Sequence, residues 1–206
     1  MEIKLNFVNN SNDANNSQVV IFQKNVASNF DEVALAWHVI TSSGQGDSHP
    51  FTYPMNLTLN IGDTGDKSGP PLTDQSISVS QNRIMPSGEY ALLMNPPATT
   101  DKEVQIRNDL AKGAINASIY KDGKLLAVNS PVTPEPNPVS EFKPSIWIGV
   151  SSEIEEGEVM QSAIISNINT ELSLLGVASA DIVMSGGGTG SNSIPYTFTL
   201  ENIVMA

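Results

Sequence analysis

Residues 116–128 read Asn-Ala-Ser-Ile-Tyr-Lys-Asp-Gly-Lys-Leu-Leu-Ala-Val. Two short apolar runs flank the pair Asp122-Gly123, and this pair tolerates the positive φ angles of a type I′ turn. The stretch therefore predicts two antiparallel strands joined by a two-residue turn. It is the strongest hairpin signal in the chain, and it indicates β structure rather than helix.

Similar short runs extend in both directions from this hairpin. Residues 3–7 and 196–200 alternate apolar and polar side chains, which is typical of half-buried strands. Residues 34–40 are apolar on both faces, so we place this strand centrally, with His38 as a buried side chain. About a dozen such runs recur at the spacing of antiparallel sandwiches and barrels. We predict a single all-β domain over residues 1–206, an antiparallel β-sandwich of the jelly-roll or immunoglobulin-like type with little helix.

Residues 151–175 are the ambiguous part of the pattern. Met160, Ile164 and Ile168 recur at helical spacing. Gly157 interrupts the segment, however, and its β-branched residues favour strands. We favour strand–turn–strand here and leave a helix as the alternative.

The composition excludes several classes of function. The chain has 10 Lys+Arg against 22 Asp+Glu, a net charge of −12, and it lacks a basic cluster that would bind nucleic acid. It contains no Cys and only two His, so thiolate chemistry is excluded and we expect no enzymatic activity. No apolar run approaches the roughly 20 residues of a membrane-spanning helix. Residues 1–5 lack the pattern of a signal peptide, which favours a cytoplasmic location; non-classical export and a removed leader remain open.

Small neutral polar residues replace the missing charges. The chain has 20 Asn and 24 Ser, while charged residues make up 16%. This composition indicates a neutral, hydrogen-bonding surface with many turns. Our first hypothesis is therefore a non-enzymatic, self-assembling or structural protein that forms a homo-oligomer. The final strand is the candidate assembly edge, through Tyr196, Phe198 and Leu200.

Two alternatives remain open. The first is a carbohydrate-binding module that uses loops 42–54 and 62–74, with Asp47, His49 and Tyr53 as candidate ligand-binding residues; Tyr53, beside Pro54, is the aromatic residue that we expect to be exposed. The second is a membrane-active sandwich, for which 154–175 is the candidate amphipathic segment.

A cation site is also considered in the second of these loops. Asp63, Asp66 and Asp74 offer the hard oxygen ligands that Ca²⁺ prefers. The loop does not match the EF-hand spacing, and Lys67 opposes the bound charge. We therefore expect no cofactor, with Ca²⁺ as the one candidate.

Overall fold

A computed structural model describes residues 2–13, 17–24, 34–55, 57–63, 73–77, 81–84, 90–92, 103–108, 115–133 and 139–206. Strands dominate these residues, and they are β1 (Glu2–Asn9), β2 (Gln18–Phe22), β3 (His38–Ile40), β4 (Ser48–Pro54), β5 (Leu57–Asp63), β6 (Thr73–Ile77), β7 (Gln81–Ile84), β8 (Tyr90–Leu92), β9 (Glu103–Asn108), β10 (Ile115–Lys121), β11 (Lys124–Val132), β12 (Val139–Glu141), β13 (Ser145–Ser151), β14 (Thr170–Ser173), β15 (Val177–Gly187) and β16 (Ile194–Met205). The helical elements described are α1 (Ser162–Asn167) and a single 3₁₀ turn, Gly190–Asn192. This confirms the prediction of an all-β, sandwich-like fold.

The chain divides into two compact units. Unit 1 comprises Met1–Gln23, Ala34–Met55 and Pro144–Ala206, and unit 2 comprises Lys24–Val33 and Asn56–Lys143. Each unit has two four-stranded sheets. A single domain over residues 1–206 stays a prediction.

The first sheet of unit 1 has the strand order β16-β15-β1-β4. Ile3, Leu5 and Phe7 of β1 are buried and alternate with more exposed neighbours, which confirms the period-two prediction for this strand. β1 pairs antiparallel with β4 and parallel with β15. The sheet is therefore mixed, and the second sheet of unit 2 likewise contains one parallel pair, β7 with β9.

The second sheet of unit 1 has the order β14-β13-β2-β3 and is buried on both faces at β2. Val20 and Phe22 belong to a core cluster that the segment after β13 helps to build. The buried members of this cluster are Val20, Phe22, Ala34, Ala36, Val39, Ile154, Met160 and Ile168. A layer of loop and helix therefore covers this face of the sheet.

Two sequence predictions need correction here. His38 begins β3, which lies at the edge of the second sheet rather than at its centre. Residues 151–175 form neither two full strands nor one long helix, because α1 spans only six residues and β14 follows it. Met160 and Ile168 are both buried in the core cluster, but they lie outside α1, in irregular parts of the segment. The helical spacing of these residues therefore does not reflect one continuous helix.

In unit 2, the predicted hairpin is present as β10 and β11. Lys121 pairs with Lys124, and both turn residues have positive φ angles, 55° for Asp122 and 69° for Gly123. These angles are those of a type I′ turn, so the sequence prediction is confirmed. The sheet that contains this hairpin has the order β11-β10-β5-β6.

Candidate functional site: the edge strand β16

β16 forms one edge of the first sheet of unit 1. Twelve residues long, it pairs antiparallel with β15, and no other described strand lies on its outer side. An edge strand of this kind presents a row of backbone N–H and C=O groups that another strand can pair with. The prediction of a strand at residues 196–200 is therefore confirmed, and its role as an assembly edge stays a prediction.

Exposed apolar side chains are concentrated near the end of this strand. Ile203 is 48% exposed, Val204 55% and Met205 63%. Leu175, in the turn before β15, is also exposed, and Met205 Cε lies 3.1 Å from the position that a Cβ on the adjacent Gly176 would take. We call the group Leu175, Ile203, Val204 and Met205 the apolar end of β16.

The three side chains predicted for assembly differ in how far they are exposed. Phe198 is buried, whereas Tyr196 and Leu200 are half-buried. The buried position of Phe198 means that its ring packs within unit 1 instead of being presented to a partner. The exposed apolar residues of β16 lie at its two ends, Ile194 at the start and the run Ile-Val-Met at 203–205.

β-bulges interrupt the edge at two places along β16. The pairing Asp181–Glu201 is followed by Ser179–Val204, so β16 advances by three residues while β15 advances by two. Asn202 takes up the extra residue with a φ of 49°, and its amide donates to Asp181 Oδ2 at 2.6 Å. The same three-against-two count separates the pairs Ser185–Thr197 and Gly187–Ile194. Because a bulge increases the local twist, a partner strand can pair regularly along 197–201 but not straight through to either end of β16.

Tyr196 has a structural role that fixes the start of β16. Its hydroxyl donates to Asp13 Oδ1 at 2.8 Å, and Asp13 Oδ2 also accepts from the backbone N–H of Ser17 at 2.6 Å. Partial burial, together with the hydrogen bond to Asp13, raises the pKa of the Tyr196 hydroxyl above its usual range. Opposite it, Gly186 has a φ of 93°, and a Cβ there would overlap the Pro195 carbonyl.

The candidate ligand-binding residues do not share one exposed surface. Asp47 is exposed, and its carboxylate accepts from the Gly44 backbone N–H at 2.7 Å within a turn. Tyr53 is only 1% exposed, so its expected exposure is wrong, and its hydroxyl accepts from Gln23 Nε2 at 2.7 Å. Burial is the main cause that raises the pKa of Tyr53. His49 pairs with Phe7, and its ring lies 6.2 Å from the Phe7 ring.

The candidate metal ligands are only partly within the described residues. Asp63 ends β5, and Asp74 lies on β6 opposite Asn60, three residues from Asp63 along β5. Asp66 lies outside the described residues. Where side chains are described, no group of three or more His, Asp or Glu residues is placed to hold a metal ion.

One polar pair was not predicted from the sequence. Nδ1 of His38 lies 2.7 Å from Glu156 Oε2, which also accepts from the backbone N–H of Val39 at 3.2 Å. The ring of Phe51 lies 4.9 Å from the imidazole. Because 118 residues separate the two partners, no local sequence signal indicates this pair.

Comparisons with known proteins found no relative of this chain. No family model, no curated protein and no solved structure matches the chain. Among the described helices, none has the length and apolar character needed to cross a membrane.

Proposed function

We propose that this protein is a non-enzymatic structural protein that associates with further copies of itself along β16. The observation that supports the proposal most strongly is the outer side of this strand, on which none of the described strands lies. Backbone groups supply the affinity in such strand addition, and the side chains beside the edge supply the specificity.

The charge distribution of the edge favours a second copy of the same chain. Glu201 is the single charged residue within β16, so two antiparallel copies of the strand bring few carboxylates together. Such an antiparallel contact is self-complementary and closes into a two-fold dimer with one continuous eight-stranded sheet. Each chain carries a net charge of −12, and repulsion between two copies weakens as salt screens it.

The apolar end supplies hydrophobic contact beside this ladder. Burial of exposed apolar surface stabilises association by about 25 cal/mol for each Å² removed from water. Val204 and its neighbours are exposed to an extent unusual for Val, Ile and Met in a sheet. A second copy that covers these side chains would explain why apolar residues lie exposed on an edge strand.

Two matched variants test the proposal. Val204→Lys places a charge on the edge, while Val159→Lys makes the same change at a residue of equal exposure, 55%, outside β16. Both changes reduce the net negative charge by one, so a general charge effect favours association in both. Sedimentation velocity over about 1 to 100 µM covers the affinities of ordinary homodimers.

We expect the wild type and Val159→Lys to form dimers or larger species as concentration rises, and more strongly at higher salt. Val204→Lys remains monomeric over the same range, because the new charge lies in the apolar end of β16 and would lose its hydration when a partner covers it. A wild type that is monomeric throughout contradicts the proposal, and so does equal association of the two variants.

A further inference from the structure

The described part of unit 1 contains a pocket of about 370 Å³ that belongs to none of the sites above. The end of β13, the residue that precedes β2, and α1 form its walls. Its lining residues are Ser17, Val150, Ser151, Ser152, Ile164 and Asn167. The volume is near the lower limit for small-molecule sites, which span about 300–1,000 Å³.

Regular secondary structure and core packing fix the walls of this pocket. Ser151 pairs with Gln18 and Val150 with Val19 in the ladder between β13 and β2. The Gln18 side chain also accepts from the Ile154 backbone N–H at 2.8 Å, which holds the chain just beyond β13. Walls fixed in this way reduce the entropy that a bound ligand would lose by ordering them.

Packing against the core fixes the α1 side of the pocket. Ile164 packs against the buried cluster that contains Phe22 and Met160. The last turn of α1 closes with hydrogen bonds from the Ile168 backbone N–H to the carbonyls of Ile164 and Ile165. Asn167 therefore projects from a short but anchored helix.

Three of the four polar side chains of the lining are available to a ligand. Within the described residues, no side-chain hydrogen bond engages Ser151, Ser152 or Asn167, whereas the Ser17 hydroxyl contacts Asp13 Oδ1 at 3.3 Å and also bonds to the Tyr196 hydroxyl. Each hydroxyl both donates and accepts, and the amide offers two donors and one acceptor oxygen. Val150 and Ile164 add an apolar wall.

This lining selects against charged and wholly apolar ligands. None of the six residues is charged, so an ion that entered the pocket would lose hydration without gaining a partner. An apolar ligand would in turn cover the hydroxyls and the amide without satisfying them. A neutral molecule with hydroxyl groups and apolar C–H faces matches both parts of the lining.

We propose that this pocket binds a small, neutral, polyhydroxylated ligand of the size of a mono- or disaccharide. Its lining includes no residue of loops 42–54 and 62–74, which the sequence offers as an alternative carbohydrate site. It is also independent of association through β16, so a monomeric Val204→Lys chain retains it.

An NMR titration of the ¹⁵N-labelled full chain tests the site, with glucose, N-acetylglucosamine and maltose as the probes. We expect at least one of them to shift the amide resonances of residues 150–152 and 164–167, with a dissociation constant of about 1 mM. Absence of localised shifts with all three sugars at about 50 mM overturns the proposal.

Three variants locate the binding. Asn167→Ala removes the amide of an exposed residue and weakens binding about 5-fold, the equivalent of one lost hydrogen bond. Ser151→Leu fills the pocket and abolishes the shifts. Ser173→Leu makes the same change at an exposed position at the end of β14 and leaves binding intact. Equal binding by the wild type, Asn167→Ala and Ser151→Leu overturns the proposal, and so does equal loss in Ser151→Leu and Ser173→Leu.

Discussion

Lys121 occupies a core position at the end of β10. It follows Ala117 and Ile119 at a spacing of two residues, and all three side chains are buried. Alternation along the strand therefore directs the lysine to the same face as two apolar residues. Burial lowers the pKa of the Lys121 ammonium to about 7, because a buried charge loses its hydration.

Replacing Lys121 with Met keeps the length of the side chain and removes the charge. The ordinary pKa of lysine, 10.5, applies to the unfolded chain, so between about pH 7 and pH 10.5 the unfolded state binds more protons than the folded state. The free energy of unfolding of the wild type therefore rises with pH across this window. One pKa unit corresponds to about 1.4 kcal/mol. The whole pKa difference therefore corresponds to a free energy of unfolding that is about 5 kcal/mol lower at low pH, where Lys121 is charged, than at high pH, where it is neutral.

The consequence is a stability difference between variant and wild type that depends on pH. The free energy of unfolding of the wild type rises by about 2 kcal/mol relative to that of Lys121→Met between about pH 7 and pH 9. Equilibrium urea unfolding followed by circular dichroism measures both chains at each pH. Lys124→Met is the control for the loss of one positive charge from the same hairpin.

Two results would refute this reasoning. One is a difference between Lys121→Met and the wild type that does not change with pH. The other is the same pH trend in Lys121→Met and Lys124→Met, because the trend would then follow from net charge and not from burial. An NMR titration of the Lys121 side chain gives its pKa directly and must place it near 7.

Two further predictions concern packing and hydrogen bonding in unit 1. In Gly149→Ala the new Cβ would lie 2.5 Å from Ile168 Cγ1, so we expect a loss of about 1–3 kcal/mol in the free energy of unfolding measured with urea. Introduced into an Ile168→Ala background, the same change costs less than in the wild type, and an equal cost in both backgrounds contradicts a clash between these two residues. Tyr196→Phe removes the hydroxyl that donates to Asp13, and we expect the free energy of unfolding to fall by about 1 kcal/mol. An unchanged free energy of unfolding means that this hydrogen bond does not stabilise the fold.

The elements that the sequence predicts best are those with local signals. The alternation in residues 3–7 requires only that one face be buried, and β1 has that pattern. The Asp122-Gly123 turn is fixed by the φ angles that these two residues accept. In both cases neighbouring residues are enough to determine the local structure.

The features that the sequence did not predict depend on distant partners. Tyr53 lies opposite Ile3 in the pairing of β1 with β4, so it shares the buried face of that strand despite the adjacent Pro54. The parallel pairing of β1 with β15 joins residues about 175 positions apart, such as Leu5 and Ala180. No local pattern carries that information.

The candidate sites show the same division. A strand was predictable from the alternation of residues 196–200, because that pattern is intrinsic to the strand, whereas its place at the edge of the sheet depends on the pairing of distant segments. The exposure of residues 203–205 was not predictable, since it follows from the bulge at Asn202 and from the absence of a described strand on the outer side of β16. The pocket beside α1 brings together residues from three separate segments.

Amide hydrogen exchange at several protein concentrations examines association along β16 most directly. If a second copy pairs with this strand, the amides of residues 197–201 that do not bond to β15 become more protected as concentration rises, while protection in β1 stays constant. Exchange rates in β16 that are the same at about 1 µM and about 100 µM, in a sample that nevertheless associates, would show that the copies meet elsewhere.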